Sequence, residues 1–168
     1  MKSHEIFQHM SPDLAVEILS YLQKERTTVF KNVVSGLAGQ RNLRIVFVER
    51  KPPLERYIWI KTALSRKAGD TLAAHLLQAW LLGAQKPMLC EFLGSLGIDH
   101  DEDGTVETLP ESPPKEKLHA SIDLLLAKYP AESVAVYLHA FHDMDSTVSW
   151  PPLGELLTDD ERLRLGSK

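Results

Sequence analysis

Of the thirteen residues from Leu72 to Ala84, only His75 and Gln78 are polar. Leu72, Leu76, Ala79 and Trp80 fall on one helical stripe, and Leu77, Leu81 and Leu82 cover a second face. A rod this apolar must be enclosed by protein or by lipid. It is too short for lipid, because a bilayer core needs about 20 residues of helix. The stretch therefore predicts a helix over about 71–84, buried at the centre of the fold. His75 and Gln78, on one face, are expected to be a hydrogen-bonded pair within the core.

The flanks carry helix punctuation. Asp70 is a candidate N-cap, Gly83 a terminator, and Pro87 suits the first turn of a following helix. There Leu89, Phe92, Leu93 and Leu96 form the apolar face, and Gly97 is placed to close it. So short a connection predicts an antiparallel helical hairpin. Similar outlines recur when Ala74 is set against Ala15 and against Ala120, at offsets of 59 and 46 residues. Fixed-period arrays such as tetratricopeptide or ankyrin repeats are excluded by that irregularity.

Elsewhere Ser11-Pro12 opens a helix with Leu14, Ile18, Tyr21 and Leu22 inward, and 28–39 forms a second helix with Val29, Val33 and Leu37 inside and Gly39 ending it. Residues 41–51 are rich in β-branched side chains. With no second strand to pair with, a short helix fits them better than a strand. Pro52-Pro53 precedes a helix in which Tyr57, Ile58, Trp59, Ile60 and Leu64 are expected to supply the apolar contacts. Helices over 115–128 and from Pro130 to about His142 follow. Pro151-Pro152 breaks the chain, and Thr158 with Glu161 suggests a capping box for a last short helix. The expected architecture is all-α: one domain over 1–168, an irregular, helical-repeat-like bundle of antiparallel hairpins.

Charge is polarised along the chain. Residues 1–90 carry 13 Lys and Arg against 7 Asp and Glu, a net of +6; residues 91–168 carry 6 against 16, a net of −10. The acidic, proline-containing stretch 99–114 is expected to be a linker loop between these halves. Cys90 has no cysteine to pair with, and no secretory leader or membrane-spanning run is present, so a cytoplasmic location is expected.

Three constellations could carry chemistry. Asp99, Asp101 and Asp103, followed by Gly104 and Thr105, resemble the first half of an EF-hand calcium loop, with oxygen ligands at alternate positions and glycine at the sixth. The twelfth position, where that loop needs a bidentate Glu, is Pro110. His139 and His142, three apart on one helix face, could meet one transition-metal ion with Asp143 or Asp145 completing the shell. The His142-Asp143 doublet also resembles that of helical phosphohydrolases. Finally Arg41, Arg44, Arg50, Lys51, Arg56, Lys61, Arg66 and Lys67, interleaved with Phe47, Tyr57 and Trp59, form a basic segment suited to an anionic partner. No phosphate-binding loop, dinucleotide fingerprint or nucleophile elbow is present, and no cofactor is expected. The first functional expectation is a non-enzymatic protein-interaction or scaffold module with a protein partner. A nucleic-acid-associated protein using 41–67 is the alternative, and a metal-dependent hydrolase using His139, His142, Asp143 and Asp145 the third reading.

Overall fold

The computed structural model describes residues 1–144 and 150–166. Among them 75% is helix and there is no strand, so the protein is all-α. Ten helices follow in order: α1 Ser3–His9, α2 Pro12–Glu25, α3 Thr27–Gln40, α4 Ile45–Glu49, α5 Pro53–Leu64, α6 Asp70–Ala84, α7 Lys86–Ser95, α8 Lys115–Lys128, α9 Ala131–Met144 and α10 Pro151–Asp159. Short 3-10 turns occupy Lys67–Gly69 and Glu161–Leu163. No helix among the described residues is long and apolar enough to cross a membrane. Contacts divide the chain into two compact units, Met1–Trp80 and Leu81–Lys168. Their boundary falls inside α6, and the 99–114 loop lies wholly in the second unit.

In the first unit α5 packs on α1, α2 and α3, and α4 packs on α3 and α5. The shared core includes Ile6, Phe7, Ile18, Leu22, Val33, Leu37, Ile60 and Leu64. Helix α1 is absent from the sequence expectations because its apolar face, Ile6, Phe7 and Met10, spans barely one turn. Asp70 is not an N-cap: its backbone is helical (φ −55°, ψ −48°) and it begins α6. Its carboxylate instead caps α1, accepting the His4 backbone N–H at 2.9 Å with His4 Nδ1 at 2.8 Å. Burial works against the charge on Asp70, but these bonds hold its carboxyl below the usual range.

Helix α3 runs past Gly39. Asn42 takes the left-handed position (φ 53°), its N–H bonding Gly39 O while Leu43 N–H bonds Ala38 O. Asn tolerates that conformation better than most side chains, so it ends the helix in place of the expected glycine. Residues 45–49 form the short helix α4, as the lack of a pairing strand implies. On α5 the buried residues are Ile60, Ala63 and Leu64. Ile58, expected to face inward, is 52% exposed. At 100° per residue it points about 200° away from Ile60.

On α6, Ala73, Leu76, Leu77, Trp80 and Leu81 are buried, but His75 and Gln78 are exposed. The expected buried pair is thus corrected: Thr71, His75 and Gln78 follow i, i+4, i+7 spacing and mark the one solvent-facing stripe of this helix.

In the second unit α8 packs on α7, α9 and α10, and α9 also packs on α10 and the 161–163 turn. Helix α9 is the most enclosed element, its residues from Ser133 to Ala140 all buried. Phe92, Tyr137 and Phe141 meet edge-to-face at 5.6–6.0 Å, and Trp150 meets Phe141 in a tilted contact at 5.1 Å. Gly97 (φ 74°) closes α7 as expected: its N–H bonds Gly94 O and Ile98 N–H bonds Leu93 O. Helix α10 corrects the reading of Pro151-Pro152, which starts a helix because its missing N–H groups are unpaired in a first turn anyway. Thr158 lies inside α10, its hydroxyl donating to Gly154 O. The final turn is capped by Asp160, which accepts Arg162 N–H at 3.0 Å.

Candidate interaction surface

The basic segment 41–67 is split by the fold into engaged and unengaged cations. Arg41 lies over the Trp59 ring at 5.2 Å. Arg56 donates through Nη2 to Glu49 O (2.7 Å) and Lys51 O (3.0 Å), capping the C-terminus of α4. The Arg56 Nη2 is thus engaged within the fold, and Arg41 is held against a ring, its Nη2 buried without a hydrogen-bond partner among the described residues. Lys61 also has a partner within the protein. Arg44, Arg50, Arg66 and Lys67 are exposed and Lys51 half-buried. Among the described residues these five form no ion pair. Glu49 and Glu55 are the exposed carboxylates of the same segment.

The expected aromatic interleaving is mostly occupied. Tyr57 donates its hydroxyl to Gln23 Oε1 at 2.6 Å, and Trp59 is covered by Arg41. Phe47 stays open at 57% exposure, and so do the aliphatic Leu43 (41%), Leu54 (59%) and Ile58 (52%). Elsewhere among the described residues, Met1, Leu124 and Met144 are the large apolar side chains so exposed, so this property concentrates in residues 43–58. Leu54 and Ile58, one turn apart, form the outer face of α5, while Phe47 lies on α4, whose N-cap is Arg44 and whose C-cap is Arg50. Phe47 on α4 and Leu54 and Ile58 on α5 are thus exposed apolar side chains on two helices that pack on one another, with the exposed Arg44 and Arg50 at the two ends of α4.

Sequence reasoning misses the apolar part of this surface, although a signal is present. The run Leu54, Tyr57, Ile58, Trp59, Ile60, Leu64 holds more apolar residues than one helical stripe can bury. Phasing the helix on Ile60, Ala63 and Leu64 leaves Leu54 and Ile58 outside.

In the acidic loop, Thr105 Oγ1 donates to Asp103 Oδ1 at 2.7 Å and lies 3.2 Å from Asp101 Oδ2, while Thr105 N–H also reaches Asp103 Oδ1. The Thr105 hydroxyl, and then its N–H, hold the Asp103 carboxyl below the usual range. Asp99 is exposed. Gly104 (φ 81°) lies against α7, where a Cβ would stand 2.5 Å from Leu89 Cβ.

His139 is buried, with Nε2 facing Leu163 O at 3.1 Å and Nδ1 without a hydrogen-bond partner among the described residues. Since a carbonyl only accepts, Nε2 carries the proton and Nδ1 the lone pair. Burial pushes the His139 pKa down, and partial burial does the same to His142. The His142 ring lies against α10, where a Cβ on Gly154 would stand 2.9 Å from Nε2. Asp143 is half-buried, and Asp145 lies outside the described residues. Among the described residues no group of three or more His, Cys, Asp or Glu is disposed to hold a metal ion. Comparison with protein-family models, curated proteins and solved structures found no match to this chain.

Proposed function

We propose that this chain is a non-enzymatic protein-interaction or scaffold module of a reducing compartment such as the cytoplasm, and that it engages a partner through α4 and the outer face of α5. The observation that carries the reading is the clustering of half-exposed Phe47, Leu54 and Ile58 beside unpaired arginines. Fully burying one large apolar side chain contributes about 1.5–3 kcal/mol. Covering the exposed halves of these three therefore supplies roughly 2–4 kcal/mol before any electrostatic gain. That suits a central anchor cluster edged by charge. The test is recovery of partners from lysate at low and high salt, comparing the wild type with Phe47→Asp/Ile58→Asp. The reading expects specific proteins retained by the wild type and lost by the variant. Identical recovery by both would reject it.

One observation favours a second reading, association with nucleic acid: the five unpaired cations could neutralise phosphates. That reading predicts binding to a single-stranded oligonucleotide with a steep salt dependence, lessened by Arg44→Ala. The occupied aromatics weigh against it, because Tyr57 and Trp59 are engaged within the fold and aliphatic Leu54 and Ile58 offer no stacking platform.

A further inference from the structure

We propose that the surface formed by Phe47, Leu54 and Ile58 with Arg44 and Arg50 is the docking site for an acidic amphipathic helix of another protein. This rests on the interaction reading above and names the chemistry of the partner.

Three features select that occupant. First, the surface is made from helix faces and offers no strand edge, so a partner has no open backbone ladder to join. Leu54 and Ile58, at i and i+4, form a ridge of the kind that seats in the groove of another helix. Second, Arg44 and Arg50 flank Phe47 and form no ion pair within the described residues. Their complement is a row of carboxylates beside the partner's apolar anchors. Third, Glu49 and Glu55 are exposed in the same segment. A uniformly anionic lipid surface would press phosphates against both. A helix carries its charges at discrete positions and can leave those two places neutral or basic.

The test is fluorescence anisotropy of a dye-labelled synthetic helix of about 20 residues, with Leu at i, i+4 and i+7 and Glu at the flanking positions. Controls are a scrambled peptide, a Lys-for-Glu peptide, phosphatidylserine-containing vesicles and the protein's own sedimentation. The expected result is saturable binding that the scrambled peptide does not share. It weakens about tenfold or more in Phe47→Asp and in Ile58→Asp, and is unchanged in Leu124→Asp. Because all three positions are at least about half exposed, each variant should keep the wild-type circular dichroism. Arg44→Glu/Arg50→Glu should lose the acidic peptide and gain the Lys-for-Glu one.

Equal binding of the scrambled peptide, no binding, preference for the vesicles, or self-association through this face would each overturn the proposal. If the peptide fails while lysate recovery still yields a Phe47-dependent partner, the acidic-helix chemistry is wrong and the interaction reading stands. If both fail, both fall.

Discussion

Two isoleucines on α5, two residues apart, offer a direct comparison of its faces. Ile60 is 0% exposed and Ile58 is 52% exposed. Truncation to alanine removes three carbons from either, worth about 0.8 kcal/mol each when fully buried. At Ile60 the full transfer energy is lost and a cavity remains, giving about 3 kcal/mol of destabilisation. At Ile58 roughly half the transfer energy is at stake and water fills the space. Alanine's higher helix propensity returns about 0.4 kcal/mol, leaving a net loss of roughly 0.7 kcal/mol. For a chain of this size each kcal/mol moves Tm by about 2–4 °C. Thermal unfolding followed by far-UV circular dichroism should therefore drop by roughly 6–12 °C in Ile60→Ala but only about 1–3 °C in Ile58→Ala. Equal losses would mean that Ile58 is buried, and would remove α5 from the interaction surface.

Three further outcomes are expected. Gly104→Ala should destabilise by more than about 1 kcal/mol, since an L side chain resists φ 81° and its Cβ would strike Leu89. By lifting the loop from α7 it should also speed thiol labelling of Cys90, whose Sγ lies 3.4 Å from Glu102 O; an unchanged labelling rate would count against that packing. Because burial lowers the folded-state pKa of His139, the unfolded chain takes up the proton first as pH falls. The contribution of neutral His139 to stability is thus complete above about pH 6.5 and lost as pH drops through the lower folded value. Urea midpoints at about pH 7.5 and 5.5 should diverge in the wild type and converge in His139→Gln, with His142 supplying a remainder of the same sign. Calcium at about 1 mM should leave Tm unchanged, because Asp101 and Asp103 already converge on Thr105 and Pro110 denies the loop its closing carboxylate; a rise in Tm would restore the calcium reading.

The features legible in the sequence are those fixed by local chemistry. Ser11-Pro12 and Gly97 act within one turn, and each does what its residue type dictates. The all-helical class follows from the same short-range logic, since a segment such as 41–51 has no strand to pair with. Reading fails where a distant contact decides. Asp70 looks like a cap for its own helix, yet it caps α1, 66 residues away in sequence. His75 and Gln78 look buried by the company they keep, whereas α6 turns that stripe to water. The basic segment is visible as charge, but its sorting depends on tertiary structure. Arg41 and Arg56 are consumed by Trp59 and by the carbonyls ending α4, leaving Arg44 and Arg50 beside Phe47. Only with those contacts in place does a charged stretch become an apolar surface with a charged edge.

The most direct measurement is site-specific photocrosslinking in living cells, with a photoreactive phenylalanine analogue placed at 47, 58, 75 or 124. All four positions are exposed, and only the first two belong to the proposed surface. The account predicts a discrete protein adduct from 47 and 58 and none from 75 or 124. Adducts of equal yield at all four positions, or none at 47 and 58, would contradict it.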